Sequence, residues 1–536
     1  MKPMKPVEST ERDVVVAGGG PVGLTLACEL ALAGTRVLVL ERRTEVDRTV
    51  KAGAINTPSA EAFYRRGMLP ALAEIQREAM GRFSSFVAGM RAAGASAPAP
   101  PPRFAGHFAA IPLRADLFDA SDPDFGNAGP AADVGLVPQE PLERLLAERA
   151  AGLGVVFRRG VTLTGFDADD AGVTVHTDAG PVRTGWLVGC DGGRSTVRKL
   201  AGFAFPGTDP EITGRQALVE MTGAEALGSG WQTTATGHYV HGPMPGRVLT
   251  VEFDGPPADR ESPVTAREIE DSLRRVTGAD VTVTAVHTAT RFTDNTRQAS
   301  TYRKGRVLLA GDAAHVHSPF GGQGLNLGIG DAMNLGWKLA ATVRGWAPDG
   351  LLDTYTAERH PIGAWVLDWT RAQVAMMRPD PHARALRAVV RDLTGTVDGT
   401  THLVKKISGV WQRYDLPGSH PLTGRSAPDL AFTDGGRLGD RLHHGRALLV
   451  DLRDDPELRA SADGYEGRVE VSTASCPDRA GLAGLLVRPD GVVAWAADAA
   501  GVESTEGAGD AGDDRKELDL ALRRWFGEPR PTPLHS

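Results

Sequence analysis

Cysteine is scarce in this chain of 536 residues. Its three cysteines, Cys28, Cys190 and Cys476, lie far apart and form no C-x-x-C pair. Disulfide frameworks, zinc sites and dithiol redox centres need paired or clustered cysteines, so we expect none of them and no metal. The sparse use of cysteine also fits a reducing compartment, and we expect the protein in the cytoplasm.

Long apolar runs and an excess of positive charge are missing as well. No stretch approaches the roughly 20 apolar residues that span a bilayer, and residues 1–12 contain no apolar segment typical of a secretory signal. Lysine and arginine total 59 against 67 aspartates and glutamates, which gives a formal net charge of -8. We therefore expect neither a membrane nor a nucleic acid as a partner.

The chain opens with the pattern of a βαβ unit. Residues 13–17 read DVVVA and residues 36–40 read RVLVL, and both runs are continuously apolar, as in buried parallel strands. The segment between them, PVGLTLACELALA, predicts a helix that Gly34 closes.

The turn of this unit carries Gly18-x-Gly20-x-x-Gly23. Gly18 permits a tight turn, Gly20 lets the backbone approach a pyrophosphate, and Gly23 allows close packing of helix and strand. Glu41, at the end of the second strand, can accept hydrogen bonds from a ribose diol. The pattern predicts a dinucleotide site, and a purely structural glycine-rich turn is the alternative.

Two more predicted strands end in an aspartate. Cys190-Asp191-Gly192 follows a strand at 184–189, and Gly311-Asp312 follows a strand at 306–310. Ligands bind at the carboxyl ends of the strands in an open α/β sheet. Either aspartate taken alone could instead be a helix cap or a turn residue.

Together the three motifs resemble those of the group A flavoprotein monooxygenases, the aromatic-ring hydroxylase or p-hydroxybenzoate hydroxylase family. The segments are GGGPVGLTLACELALAG, GCDGGRSTVRKLAG and RVLLAGDAAHVHSPFGGQGLNLGIGDAMNLGWKLA, and the resemblance covers residues 13–361. It is closest to the polyketide-tailoring members that carry an additional C-terminal thioredoxin-like domain.

The resemblance implies an α/β fold with three parts. A Rossmann-like FAD domain of the glutathione reductase type would comprise 1–182 and 294–400, with a loop at 72–110 reaching toward the substrate. A mixed β-sheet substrate domain would comprise 183–293. A thioredoxin-like α/β domain would comprise 415–536, and it would be redox-inactive because Cys476 has no partner cysteine.

The resemblance also implies a set of FAD-binding residues. They are Gly18, Gly20, Pro21, Val22, Gly23, Glu41, Arg42, Lys51, Gln139, Asp191, Asp312, Pro319, Gly322, Gly324, Leu325 and Asn326. Lys51-Ala52 departs from the family's Arg-Ala, and lysine cannot make the forked contact of arginine, so Arg48 is an alternative cation.

The activity implied is hydroxylation of a polycyclic, polyketide-like phenol or quinone. NAD(P)H would reduce the FAD, and O2 would then form a flavin C4a-hydroperoxide that transfers one oxygen atom. A second GxGxxG motif is missing, so NADPH or NADH would bind only transiently. Baeyer–Villiger oxygenation of a polycyclic ketone and an antibiotic-inactivating hydroxylation remain open. So do a non-catalytic FAD-binding protein and a simple NAD-dependent dehydrogenase.

The sequence does not identify a catalytic base. His238, Tyr239 and His241 are weak candidates, and in a strand His238 would face away from the other two. His315 and His317 form an H-x-H pair without a third ligand at suitable spacing, so we expect them to pack in the flavin-binding turn. A homodimer is compatible with the family resemblance.

Overall fold

The computed structural model describes residues 12–92, 104–242, 244, 246–259, 262–499 and 511–530. The small, proline-rich residues 94–102 predict a surface loop, and they lie outside these ranges. Among the described residues, no helix is both long enough and apolar enough to cross a membrane.

The first part of the chain alternates strands with helices, as its apolar runs predict. Its elements are β1 (Arg12–Ala17), α1 (Pro21–Leu32), β2 (Val37–Glu41), α2 (Thr57–Tyr64), α3 (Leu69–Ala92), β3 (Phe104–Phe108), β4 (Ile111–Arg114), α4 (Gln139–Gly152), β5 (Val156–Arg159), β6 (Leu163–Asp169), β7 (Gly172–Thr177), β8 (Val182–Gly189) and α5 (Thr196–Leu200).

An antiparallel region follows, and in its strand Arg247–Glu252 the residues after Arg247 are all buried. Its elements are β9 (Gly207–Thr208), β10 (Thr213–Thr222), β11 (Gly230–Thr233), β12 (Gly237–His241), β13 (Arg247–Glu252), α6 (Ala266–Thr277) and β14 (Thr282–Phe292).

The chain then returns to the first part. The returning elements are β15 (Thr296–Gln298), β16 (Arg303–Lys304), β17 (Val307–Leu309), β18 (His315–Val316), α7 (Gln323–Val343), α8 (Thr354–Met377), α9 (Pro381–Thr394) and α10 (Val397–Ser408).

The main sheet has the order β16-β17-β8-β1-β2-β5, and β7 and β6 extend it beside β8. Strands β17, β8, β1, β2 and β5 run parallel, and Val14, Val15 and Val16 of β1 are fully buried at its centre. The predicted βαβ opening is confirmed.

Two expectations about this part need correction. The sequence of residues 172–182 predicts a hairpin separate from the strand at 184–189. In the structure the end of that hairpin and this strand form one continuous strand, β8, which pairs with β7 and with β1. A domain boundary at 183 would cut this strand, so we place the boundary after α5. Residues 72–92 of the predicted loop at 72–110 are helical, because they continue α3.

The second sheet has the order β11-β12-β13-β10-β14. Helix α6 covers one face with Ile269, Leu273 and Val276. The other face packs against α8 and against the hairpin of β3 and β4.

The C-terminal unit contains β19 (Ala447–Asp451), α11 (Pro456–Ala460), β20 (Val469–Thr473), β21 (Leu482–Val487), β22 (Val493–Asp498) and α12 (Ala511–Phe526). Its sheet order is β20-β19-β21-β22, in which only β19 and β20 are parallel. A βαβ unit followed by a hairpin and a helix is the thioredoxin-like arrangement that the family resemblance implies.

The acidic, glycine-rich sequence of residues 502–514 predicts a loop, and this prediction is partly wrong. Residues 511–514 begin α12, and 502–510 lie outside the described residues. The helix forms because Leu518, Leu522 and Trp525 repeat at helical spacing and are buried. They pack with Trp337 of α7, whose ring centre lies 6.4 Å from that of Trp525.

Candidate active site

The carboxyl ends of four adjacent parallel strands meet at one edge of the main sheet. Backbone hydrogen bonds join these ends: the Gly18 amide donates to the Leu40 carbonyl at 2.8 Å, and the Cys190 amide donates to the Ala17 carbonyl at 2.7 Å. The glycine turn, Glu41 and both aspartate motifs therefore lie side by side.

The glycine turn is tight at two positions and open at a third. Gly18 has a φ of +111°, and a β-carbon there would lie 2.2 Å from the Cys190 carbonyl oxygen. A β-carbon at Gly23 would lie 2.0 Å from the Gly18 oxygen. One at Gly20 would meet no atom within 4 Å. The backbone at Gly20 thus borders open space at the start of α1, where free amides and the helix dipole favour an anion.

The start of α1 lacks a side-chain cap. Gly20 is the N-cap residue and Pro21 the first helical residue, so no side chain occupies the place of a phosphate. Val22 is half-buried and contacts the position of a β-carbon on Gly311 at 3.2 Å. The side chains of Pro21 and Val22 thus shape the turn and offer no polar contacts.

Glu41 lies against the glycine turn. Its Oε2 accepts a hydrogen bond from the Gly19 amide and its Oε1 accepts one from the Arg43 amide, both at 2.8 Å. The two bonds fix the carboxylate and leave lone pairs for a diol. Arg42, next to it, is exposed.

Lys51 is not a free cation in this structure. Its Nζ lies 2.7 Å from Asp47 Oδ2. Burial opposes ionisation of Asp47, but hydrogen bonds from Lys51 and from the Thr49 amide outweigh it and hold the pKa of this carboxyl well below its usual range. The Gln139 amide donates to the Ala52 carbonyl at 2.9 Å. The loop of Lys51 and Ala52 therefore lies next to Gln139, as expected, but Asp47 partially neutralises the charge of Lys51.

Asp191 has a structural role that sequence reasoning left open. Its Oδ2 accepts hydrogen bonds from the Thr196 and Val197 amides at 2.7 and 3.1 Å, which caps α5. Its Oδ1 is buried and has no hydrogen-bond partner among the described residues. Arg198 ties the two aspartate motifs together, because it donates to the Gly193 and Ala313 carbonyls at 2.8 and 2.9 Å.

Asp312 lies at the beginning of residues 311–319, the turn that leads from β17 toward α7 and that we call the flavin-type turn. Its side chain is exposed, as is Pro319. A β-carbon on Gly324 would lie 3.5 Å from His317 Nε2 and 4.0 Å from Asp312 Oδ1. The turn therefore brings Asp312, His317 and the first turn of α7 together.

Helix α7 begins without a side-chain cap. Gly322, its N-cap residue, has a φ of +63° and borders open space. Leu325 is half-buried in the first turn. Asn326 locks the turn, because its Oδ1 accepts from the Asn56 amide at 2.8 Å and its Nδ2 donates to the Gly322 carbonyl at 2.9 Å. The free amides provide a positive end for negative charge on a ring system.

These features fit FAD. Open space beside Gly20 suits a pyrophosphate, Glu41 suits a ribose, and the exposed Asp312 suits the hydroxyls of a ribityl chain. The uncapped start of α7 suits the pyrimidine side of a reduced flavin. Within the described ranges, the buried atoms Asp191 Oδ1 and His317 Nε2 have no hydrogen-bond partner, and both lie at the same edge of the sheet.

A buried ion network supports the Gly311 turn, and sequence reasoning missed it. Asp331 Oδ2 accepts from the Gly311 amide at 3.0 Å and lies 2.6 Å from His315 Nε2, and Arg359 Nε donates to Asp331 Oδ1 at 2.8 Å. The signal available in the sequence is the presence of two charged residues, Asp331 and Lys338, in a largely apolar helix. His315 is thus a structural residue, and the described residues contain no group of three metal-type ligands.

The network continues into the C-terminal unit. Arg488, which is fully buried, donates to Glu358 Oε2 at 2.7 Å and also pairs with Asp490. Lys338 Nζ lies 3.0 Å from Glu358. Burial lowers the pKa of Lys338 to about 7, against the attraction of Glu358.

An aromatic cluster lies between the second sheet and α8, beside the start of α7. We define it as Phe108, Trp231, Phe292, Phe320 and Trp369. The ring centres of Trp231 and Phe292 each lie 6.1 Å from that of Phe320, and Phe108 lies 4.6 Å from Trp369. Phe320 immediately precedes the two glycines that open α7, so the cluster adjoins the flavin-type turn.

The three weak candidates for a base are not brought to this cluster as free groups. His238 faces it, but its Nε2 lies 2.7 Å from the Met377 carbonyl and its Nδ1 lies 3.1 Å from Thr233 Oγ1. Tyr239 faces α6 and accepts a hydrogen bond from the Gly228 amide. His241 shares the face of Tyr239. The structure supports a role in chemistry for none of them.

This site is that of a flavin-dependent oxidoreductase. The glycine turn and the acidic acceptors suit the dinucleotide, and the uncapped start of α7 beside the aromatic cluster suits the flavin ring. Residues 11–370 match the family model described as an FAD binding domain, and residues 420–529 match the model described as the C-terminal part of aromatic-ring hydroxylases. The chain belongs to the family of FAD-dependent aromatic-ring hydroxylases. It is an FAD-dependent monooxygenase, and NAD(P)H is its co-substrate.

Relatives match along nearly the whole chain. A protein of Claviceps purpurea named as a monooxygenase is 43% identical over 91% of this chain and 95% of its own length. The rifampicin monooxygenase of Streptomyces venezuelae is 41% identical over 96% of this chain and 98% of its own. Among solved structures, the anhydrotetracycline hydroxylase of Streptomyces rimosus aligns with a TM-score of 0.80 at 40% identity, covering 97% of this chain and 100% of that one.

Proposed function

We propose that this monooxygenase hydroxylates a fused-ring phenol or quinone of the polyketide type, held in the aromatic cluster. The observation that carries the proposal is that the cluster includes Phe320, which directly precedes the glycines at the start of α7. Flat aromatic walls favour a flat aromatic ligand. The relatives named for rifampicin and anhydrotetracycline support the same substrate class, since both compounds are fused-ring phenols.

The proposed cofactor residues divide the FAD between them. Gly18, Gly20 and Gly23 would hold the pyrophosphate at α1, and Glu41 would hold the adenosine ribose. Asp312 would bind the ribityl chain. The amides of Leu325 and Asn326 at the start of α7 would stabilise negative charge on the reduced ring.

Bound at these residues, FAD would supply the difficult chemistry, namely acceptance of a hydride from NAD(P)H and activation of O2 for transfer of one oxygen atom. The chain must orient the ring and exclude water. The aromatic cluster provides the dry wall, and the network of Asp331 and Arg359 holds the Gly311 turn in place.

The visible spectrum of the holoenzyme tests this proposal. NADPH is added without oxygen, in the presence and absence of a panel of fused-ring phenols, quinones and ketones. We expect the flavin absorbance to bleach quickly only with a fused-ring phenol or quinone, and oxygen then to yield a product with one added hydroxyl. A ring-expanded lactone from a ketone would establish Baeyer–Villiger chemistry instead, and a ligand-independent rate would contradict the proposal.

Two further points are proposed with it. The use of NAD(P)H and the three unpaired cysteines support a cytoplasmic location.

Leu386, Val389 and Leu393 form an exposed apolar stripe on α9 and support a homodimer through that helix. Light scattering of the wild type and of Leu393→Glu tests the second point, and a monomeric wild type would refute it.

A further inference from the structure

Five buried nitrogen atoms around the aromatic cluster have no hydrogen-bond partner within the described parts of the chain. They are His107 Nδ1, Gln216 Nε2, Arg247 Nε, Trp369 Nε1 and Arg387 Nε. An unpartnered buried polar group costs free energy, so such groups are rare in folded proteins. Several of them around one cluster indicate that a polar ligand belongs there.

Arg247 is the charged member of this set that faces the cluster from the second sheet. Along β13, Leu249 and Val251 pack into the cluster, whereas Val248 packs toward α6. Alternation therefore places Arg247 on the face of Leu249. Burial lowers the pKa of His107 to about 4, and the charges of Arg247 and Arg387 add to the effect, which places Arg247 near His107.

His107 connects this charge to the flavin side of the cluster. Its ring centre lies 4.9 Å from that of Trp231, and Trp231 in turn lies 6.1 Å from Phe320. A fused-ring ligand that reaches from Phe320 past Trp231 would thus bring one end to Arg247.

The surroundings of Arg247 differ from those of the neighbouring arginines. Arg215, on the opposite face of the same sheet, is paired with Glu252 at 2.7 Å and with Glu268 at 2.9 Å. Arg387 donates to the Ala109 carbonyl and to Thr233 Oγ1. For Arg247, burial alone lowers the pKa, and no carboxylate of the described residues offsets it.

We propose that Arg247 binds an ionised oxygen of the substrate, a phenolate or enolate at the end of the fused-ring system away from the flavin. The proposal rests on the proposed function. A guanidinium keeps its charge in partly buried sites and pairs well with anionic oxygen. The substrate hydroxyl releases its proton to water, and the ionised ring is the better nucleophile. Arg247 thereby selects acidic phenols and raises the electron density of the ring that is hydroxylated.

Binding of 2-hydroxyanthraquinone to the oxidised holoenzyme tests the proposal without turnover. Its phenolate absorbs at longer wavelength than its phenol, so a difference spectrum at a pH below its solution pKa reports ionisation on the protein. We expect wild type to bind it as the phenolate, and to bind its methyl ether about tenfold or more weakly. The phenolate band should vanish and the preference collapse in Arg247→Gln, and both should persist in Arg247→Lys.

Arg267→Gln is the matched control. Arg267 is exposed on α6, and its substitution removes the same charge from the same domain. Retained flavin absorbance and an unchanged melting temperature verify folding of each variant. Equal affinity of wild type for the phenol and its ether, or a phenolate band that survives in Arg247→Gln, would overturn the proposal. Neither result depends on whether ligands accelerate flavin reduction.

Discussion

Gly20 and Gly23 stand three residues apart in the same turn but have opposite surroundings. We expect Gly20→Ala to leave the melting temperature of the apoprotein unchanged, since a methyl group there meets no protein atom within 4 Å. It should weaken FAD binding by about tenfold or more, equivalent to about 1.4 kcal/mol, because the methyl occupies the space of the pyrophosphate. Titration of the apoprotein with FAD, followed by flavin fluorescence, measures the change.

Gly23→Ala should behave differently. Its β-carbon would lie 2.0 Å from the Gly18 oxygen, so α1 must shift, and the apoprotein itself should lose about 1–3 kcal/mol of stability. Gly152→Ala, at the end of α4 in open space, is the control that should neither destabilise the apoprotein nor weaken FAD binding. Unaltered FAD affinity in Gly20→Ala would refute the placement of the pyrophosphate.

His238 makes stability depend on pH. Burial lowers its pKa to about 4 in the folded protein, against 6.5 for an ordinary histidine. Between these values the unfolded chain binds more protons, so the contribution to stability is complete above 6.5 and is lost as the pH falls toward 4. This contribution amounts to about 3 kcal/mol.

Denaturant unfolding of the holoenzyme at pH 7, 6 and 5 tests this. We expect His238→Gln to lose stability less steeply on acidification than the wild type. His382→Gln, at an exposed position that opens α9, should follow the wild type. Parallel slopes for wild type and His238→Gln would contradict the prediction.

At the scale of elements, the turn between β21 and β22 is joined to α8 by buried charges. Replacing Arg488 with methionine leaves Glu358 and Asp490 without their shared partner. We expect a loss of about 3–5 kcal/mol in unfolding free energy, because an uncompensated buried charge is costly. Denaturant unfolding and the rate of tryptic cleavage between the two units measure it.

Arg446→Met provides the comparison. Arg446 is exposed beside β19 and pairs with Glu470 at 3.0 Å, and such a pair contributes about 0–1 kcal/mol. The double variant Arg488→Met, Glu358→Gln should lose less than the sum of the single losses, since the second change removes one stranded charge. Equal effects of Arg488→Met and Arg446→Met would show that the network is not stabilising.

Elements within one stretch of chain were predictable, and contacts between distant stretches were not. β1, α1, β2 and the aspartates 191 and 312 are visible because periodicity and glycine spacing act over a few residues. His107, Gln216 and Arg247 come from a hairpin and two strands, so only strand register and packing bring them together. The alternation along β12 correctly separates His238 from Tyr239, but it cannot say which face meets α6.

The same limit applies to the ion network. Asp331 and Lys338 are conspicuous in an apolar helix, yet their partners lie in α8 and in the C-terminal unit. The family resemblance anticipated the three-part fold, including the C-terminal arrangement. It did not anticipate β8 as one continuous strand, because a hairpin and a buried strand read as separate patterns.

For the whole molecule, the C-terminal unit and the flavin-binding part share one apolar core. Trp337 and Ala341 of α7 are buried in the same cluster as Leu449, Trp525 and Phe526. We therefore expect the holoenzyme to unfold in a single calorimetric transition. Trp525→Ala should lower its stability by about 3–5 kcal/mol, whereas two separate endotherms would show that the units fold independently.

The packing of α12 on α7 also sets an order of events during synthesis. Helix α7 leaves the ribosome well before α12, whose Trp525 packs on Trp337 of α7. Domains fold as their sequence emerges. Until Arg488 and α12 have emerged, Trp337 of the nascent flavin-binding part is uncovered and Glu358 lacks its ion pair with Arg488. We therefore expect stable cofactor loading to follow the emergence of α12, and a chain truncated before α12 to expose the apolar surface around Trp337.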